Sequence, residues 1–174
     1  MNRHNQILRW ILLAGFSLSL ASCYAKGTLK NGEFVGKNVQ YHIGAPGPGW
    51  QKISIKGADL AWLQKETGSI ILINSSCKSS DEAPLEALTA HLLIGMTEQE
   101  VIEQKHIPLS DREALESLIT VKVDGVPQKM KILVLKKDYC VYDIVFSSPP
   151  EAFDALLPAY TSVLDQFSVA GKKL

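Results

Sequence analysis

The stretch LESLITVKVDGVPQKMKILVLKKDYCVYDIVF, residues 115–146, decides the fold. Over residues 115–123 apolar side chains fall on alternate positions, interrupted only by Ser117, which is the period of a strand with one buried face. Asp124-Gly125 then supplies a hairpin turn, because both central positions of such a turn take a positive φ that Gly adopts freely and Asp tolerates. Residues 130–135 form the returning strand, Lys137-Asp138 the next turn, and residues 139–146 a strongly β-prone run that carries Cys140. Three consecutive antiparallel strands are expected.

Working outward toward the C-terminus, Ser148-Pro149-Pro150-Glu151 reads as a capping box with Pro at the first helical position. It opens a helix whose Phe153, Leu156, Leu157, Tyr160, Val163, Leu164 and Phe167 share one face. Pro158 falls inside that helix, where it deletes a backbone bond and a kink is expected. Residues 170–174 read as a frayed tail.

Upstream, residues 39–43 alternate as a first strand. Gly44-Ala45-Pro46-Gly47-Pro48-Gly49 is a loop, and Trp50 opens a second strand with Ile53 and Ile55. Residues 58–64 and 69–74 form a hairpin through Thr67-Gly68, with Cys77 close behind. Residues 78–83 are loop. Leu85, Leu88, Leu92, Leu93 and Met96 recur at helical spacing after Pro84, with Gly95 as the break. Thr97-Glu98-Gln99-Glu100 reads as a capping box for a second short helix ending near Lys105, and residues 107–111 as loop or short strand. The sum is an α+β chain: an antiparallel sheet of about six strands with helices packed on it, forming a single domain over residues 37–170.

The N-terminus carries an address. Arg3 and Arg9 precede a 12-residue apolar core over residues 10–21, too short for the roughly 20 residues that a membrane-spanning helix needs. Leu20-Ala21-Ser22-Cys23 resembles the lipobox of bacterial lipoproteins. That resemblance implies removal of residues 1–22, a diacylglyceryl group on the Cys23 thiol and acylation of the new amino terminus. An ordinary signal peptide cut after Ala25 is the rival reading. Residues 23–36 are expected to act as a lipidated Cys and flexible tether, the polar, Gly-punctuated part of which could reach roughly 40 Å. The implied location is the cell envelope, on a membrane and facing the periplasm or the cell exterior.

Removing residues 1–22 leaves 152 residues, enough for one ordinary core, with 16 Lys and Arg against 18 Asp and Glu, a net charge of −2 with His neutral. No basic run is present to neutralise phosphates, which argues against nucleic acid. With Cys23 lipidated, Cys77 and Cys140 remain in an oxidising compartment, where a bridge between them is the leading reading and two buried free thiols the alternative. Neither has a second Cys or His at metal-ligand spacing, so no metal or other cofactor is called for.

Val39-Gln40-Tyr41-His42-Ile43, then Pro48-Gly49-Trp50, then a late strand before Pro149-Pro150 and a helix ending at Phe167 resemble the domain shared by the extrinsic PsbP proteins of photosystem II and their nuclear Ran-binding Mog relatives. The likeness spans most of residues 37–169 and implies a PsbP-like α/β/α sandwich. Members of that group typically dock on larger partners as accessory or assembly subunits, so the resemblance implies binding rather than catalysis. Cys77, Cys140 and the lipid anchor depart from the group, and no functional residue is carried over.

Chemical motifs are sparse. His42, His91 and His106 have no metal-like spacing to one another. Ser75-Ser76 could form a polar site beside Cys77, although a turn explains them as well. The paired carboxylates Asp81/Glu82, Glu98/Glu100 and Asp111/Glu113 fit solvated faces or caps. Trp50, Trp62 and Tyr160 are candidate interface aromatics of which at least two belong to the core, leaving Gly49 and Trp50 as a candidate partner surface. The expected function is a non-enzymatic, membrane-anchored module that binds or helps assemble an envelope protein. The alternatives are a carrier or sensor of a small apolar or lipid-like ligand, and a hydrolase using Ser76 or a histidine.

Overall fold

The computed structural model describes residues 27–77 and 82–169. The signal segment, Cys23, residues 24–26 of the expected tether, most of the 78–83 loop and the C-terminal tail lie outside the described residues. Within them the strands are β1 (Gly27–Lys30), β2 (Glu33–Gly36), β3 (Gln40–His42), β4 (Trp50–Ile53), β5 (Leu60–Gln64), β6 (Ser69–Ser76), β7 (Thr97–Leu109), β8 (Arg112–Val123), β9 (Val126–Lys137), β10 (Cys140–Ser148) and β11 (Ser168–Val169). Helix α1 (Leu85–Leu92) lies between β6 and β7, and α2 (Pro150–Leu164) between β10 and β11. One sheet has seven strands in the order β4-β5-β6-β10-β9-β8-β7, and a second has four in the order β1-β2-β3-β11. Every pairing is antiparallel.

The 115–146 stretch forms the β8-β9-β10 meander, and its alternation divides the core. On one face Leu133, Leu135, Tyr142, Ile144 and Phe146 pack against Phe153, Tyr160 and Val163 of α2 and against Phe34, Tyr41 and Val169 of the small sheet. On the other, Ile119, Val121, Ile132, Val134 and Val141 pack against Leu88 and Leu93 of the α1 region. Both faces of β9 and β10 are covered, which is why Ile132-Leu133-Val134-Leu135 is apolar at every position. The layers are α1, the large sheet, then α2 with the small sheet.

Aromatic stacking organises the larger core. Phe146 stacks on Phe153 at 5.0 Å and on Tyr160 at 6.0 Å. Tyr41 stacks on Phe34 at 4.9 Å and meets Tyr142 edge-on at 5.9 Å. Each such pair contributes about 0.5–1.5 kcal/mol beyond its buried area.

Several expectations are corrected. The described residues hold eleven strands rather than about six. Residues 27–36, expected in a tether, form the β1-β2 hairpin through Asn31 and Gly32, both at positive φ, and Phe34 is buried. Thr97-Glu98-Gln99-Glu100 opens no helix: it begins β7, the 13-residue edge strand. Gln99 instead donates from Nε2 to the carbonyls of Leu93 and Met96, satisfying acceptors beyond the end of α1. The 107–111 segment divides between the end of β7 and the Ser110-Asp111 turn, and the turn after β9 is Asp138-Tyr139, not Lys137-Asp138.

The Ser148 capping box does not form either. Pro149 is the N-cap of α2 without a side-chain bond, while the Ser148 hydroxyl accepts from Ser69 and donates to the Pro149 carbonyl. Pro158 sits within α2 on its exposed face, and the helix runs on through it.

Candidate functional site

The antiparallel order gives the large sheet two distinct ends. One collects the C-terminal ends of β6, β7 and β9 with the start of β10, and there Cys77 and Cys140 face each other one step beyond the Ser76–Val141 pair. Their sulfurs are 2.07 Å apart. The register thus brings together two cysteines that the sequence separates by 63 positions.

Beside them lies a polar cluster. Asp59, in the β4-β5 connection, accepts a hydrogen bond from the Ser75 hydroxyl and a longer one, 3.4 Å, from the Tyr41 phenol. Burial, reinforced by the negative charge of Asp59, pushes the Tyr41 phenol well above its ordinary pKa. Burial pushes Tyr142 up to about 12, with Asp138 and Asp59 adding to the shift. A carboxylate that accepts from a hydroxyl of the large sheet and a neutral phenol of the small one forms a structural lock between the two.

A groove of about 760 Å³ runs beneath the same connection, walled by Gly27 and by residues 52–61. Ile53, Ile55, Ala58, Leu60 and Ala61 make its apolar lining, and Lys52 and Lys56 are exposed at its margin. Gly27 permits the close approach of β1 to β2, since a Cβ there would lie 2.5 Å from both Phe34 Cζ and the Val35 carbonyl oxygen. Nothing in the sequence marked this groove, because its lining comes from the irregular β4-β5 connection and from a strand hidden in the expected tether.

The opposite end of the sheet is different in character. Ile94 after α1, Val101 and Ile102 on β7 and Val126 at the start of β9 are all more than half exposed. The pairings Thr97–Lys122 and Val123–Val126 bring their segments toward one end. The ladder of β7 shifts register between Thr97 and Glu100 and again between Val101 and Glu103, and Glu98 has φ +49°. Such irregularity blunts an exposed edge.

The remaining candidates fall as follows. Gly49 is exposed at φ +84°, but Trp50 is half-buried and contacts Phe146 edge-on at 6.3 Å, so it belongs largely to the core. Trp62 and Tyr160 are buried. His106 is held between Glu113 at 2.9 Å and Glu86 at 3.2 Å, tying α1 to the β7-β8 hairpin. His42 lies 4.0 Å from Glu33, and His91 is in the last turn of α1. Glu98 pairs with Lys122 and Asp111 with Lys137, which makes these carboxylates surface ion pairs. Ser75 is engaged by Asp59, and Ser76 is half-buried at the end of β6. No group of three or more His, Cys, Asp or Glu among the described residues is arranged to hold a metal ion. No described helix is long and apolar enough to cross a membrane.

The architecture is that of the PsbP-like α/β/α sandwiches. The chain is similar to the cyanobacterial PsbP of Synechocystis sp. PCC 6803, with a TM-score of 0.53 and 13% identity over 83% of this chain and 90% of that one. It is also similar to LpqN of Mycobacterium tuberculosis, a protein involved in cell envelope biogenesis, with a TM-score of 0.58 and 13% identity over 78% and 87%. No family model matches the chain, and no curated protein matches it by sequence.

Proposed function

We propose that this chain is a lipid-anchored, non-enzymatic module of a bacterial cell envelope that docks a protein partner through the end of its large sheet bearing Ile94, Val101, Ile102 and Val126. The observation that carries the reading is the exposure of these four apolar residues on segments that come together at one end of the large sheet, since exposed apolar surface is retained where it serves an interface. Gly27, the described residue nearest Cys23 in sequence, helps wall the groove under the β4-β5 connection, at the opposite end of the large sheet. Anchoring at Cys23 therefore leaves the apolar end free to meet a partner. The likeness to an envelope-biogenesis protein supports this setting, as does the lipobox.

The test is site-specific photocrosslinking in intact cells. A crosslinker at Ile102 should give one discrete protein adduct, which Val101→Glu abolishes, whereas a crosslinker at Asp154 on α2 gives none. Identical adducts at both positions would count against the docking surface. Cys23→Ser should accumulate in unanchored form, and equal membrane retention would remove the anchor.

A further inference from the structure

We infer that the groove beneath the β4-β5 connection seats one of the acyl chains borne by Cys23, clamping the disulfide end of the domain against the membrane. The inference rests on the lipidation of Cys23 proposed above and assigns a site to one of its chains.

Three observations converge on this occupant. The groove, about 760 Å³, takes its apolar lining from Ile53, Ile55, Ala58, Leu60 and Ala61 and includes no aromatic ring; its polar members are Lys52, Ser54, Lys56 and Asp59. Its volume falls within the range of small-molecule sites, about 300–1,000 Å³. Its one acid, Asp59, is held by the hydroxyls of Ser75 and Tyr41. Lys52 and Lys56 stand exposed at the margin, where they complement the anionic surface of a bilayer.

Position selects the source of the chain. Gly27 is part of the groove wall, and the four peptide steps from Cys23 to Gly27 span at most about 14 Å. A chain tethered so closely is present at an effective concentration of order millimolar. The lipobox chemistry supplies three acyl chains, two on the glyceryl group and one on the amino terminus. Two suffice for stable anchoring, so one can enter the groove without releasing the protein.

The test uses full-length protein from cells fed a diazirine-bearing fatty acid, purified and returned to phosphatidylethanolamine and phosphatidylglycerol vesicles. Irradiation should crosslink the Cys23-borne probe to the peptide containing residues 52–61 of the same chain. Ile55→Asp, at a half-exposed position, should lower that crosslink about tenfold, the factor that losing the burial of about two methylenes yields. Ile102→Asp at the far end should leave it unchanged, and Ala58→Phe, which fills the groove, provides a second block if Ile55→Asp fails to fold cooperatively. Probe attached to Cys23 but crosslinked only to lipid overturns the inference and leaves lipidation standing. Protein carrying no probe overturns lipidation and the inference with it. Equal labelling of the same peptide in Cys23→Ser by free diazirine fatty acid overturns the tethered source in favour of a carrier site.

Discussion

Opening the Cys77–Cys140 link should lower stability substantially without unfolding the protein. The link closes a loop spanning a sequence separation of 63 residues, and the chain-entropy model assigns such a loop about 4 kcal/mol through constraint of the unfolded chain. The native side argues that the fold survives. β6 and β10 remain paired from Ile70–Ser147 to Ser76–Val141, and β10 is also paired with β9 along its whole length. Cys140 is buried and becomes a small apolar group when reduced. For a domain of this size, where 1 kcal/mol moves Tm by about 2–4 °C, the loss is about 8–16 °C. Scanning calorimetry with and without a phosphine reductant measures it, and the double variant Cys77→Ala/Cys140→Ala should match the reduced protein. A Tm difference below about 2 °C, at most about 1 kcal/mol on the same scale, would refute the constraint. Thiol labelling that finds two free cysteines in protein taken straight from the envelope would refute the bond itself.

Phe34→Ala should cost about 3–5 kcal/mol in urea unfolding, because Phe34 is buried and stacked on Tyr41; a negligible change would return residues 27–36 to the role of a tether. Glu116→Gln should cost about 3 kcal/mol, since it strips the carboxylate partner from the largely buried Lys131 ammonium 3.0 Å away. The same substitution should lower the Lys105 pKa, which Glu116 chiefly raises, and an unmoved Lys105 side-chain NMR titration would contradict that pairing. Stability should also fall at alkaline pH. Folded Tyr142 keeps its proton up to about pH 12, whereas an unfolded tyrosine loses it near pH 10. Its contribution is therefore complete below about pH 10 and is lost as pH rises toward 12, at about 1.4 kcal/mol per pH unit. Tyr142→Phe should flatten that part of a stability profile measured by urea unfolding, and an unchanged slope would sink the assignment.

What the sequence disclosed and what it hid follow from where each strand's side chains go. The meander and α2 were legible because their apolar positions face a core and carry its period: Leu133 and Leu135 to one side, Ile132 and Val134 to the other. The first part of β7, residues 97–105, reads as a helix because the first ten residues of the strand are exposed, so no alternation is imposed on Glu, Gln and Lys, which favour helices when nothing else decides. Its strand character is conferred by the partner β8, through pairings from Thr97–Lys122 to Leu109–Arg112. The β1-β2 hairpin was hidden differently. Asn31-Gly32 is a turn signal of the same kind as Asp124-Gly125, but the strands beside it are four residues each and contribute one fully buried side chain, Phe34. The Asp59-Ser75-Tyr41 cluster was out of reach, since its members lie 16 and 18 positions apart and meet only through the register of the two sheets.

That hairpin changes the physical meaning of the N-terminal address. A flexible tether over residues 23–36 would let the domain stand roughly 40 Å off the bilayer in any orientation. With β1 beginning at Gly27 and paired to β2 from its first residue, only three residues stand between that strand and Cys23, a reach of about 14 Å over four peptide steps. Under the lipidation of Cys23 proposed above, the domain would be confined close to the lipid, with the β4-β5 connection and its lysines on the side of Gly27. Fixing that side fixes the other: Ile94, Val101, Ile102 and Val126 must look away from the anchor. On the proposed docking reading, a partner that engages them would be held at a defined height above the membrane. Inserting ten Gly-Ser residues between Cys23 and Gly27 should therefore leave lipidation and folding intact while loosening that height and weakening the Ile102 crosslink, and an unchanged adduct yield would show that the short connection has no part in docking.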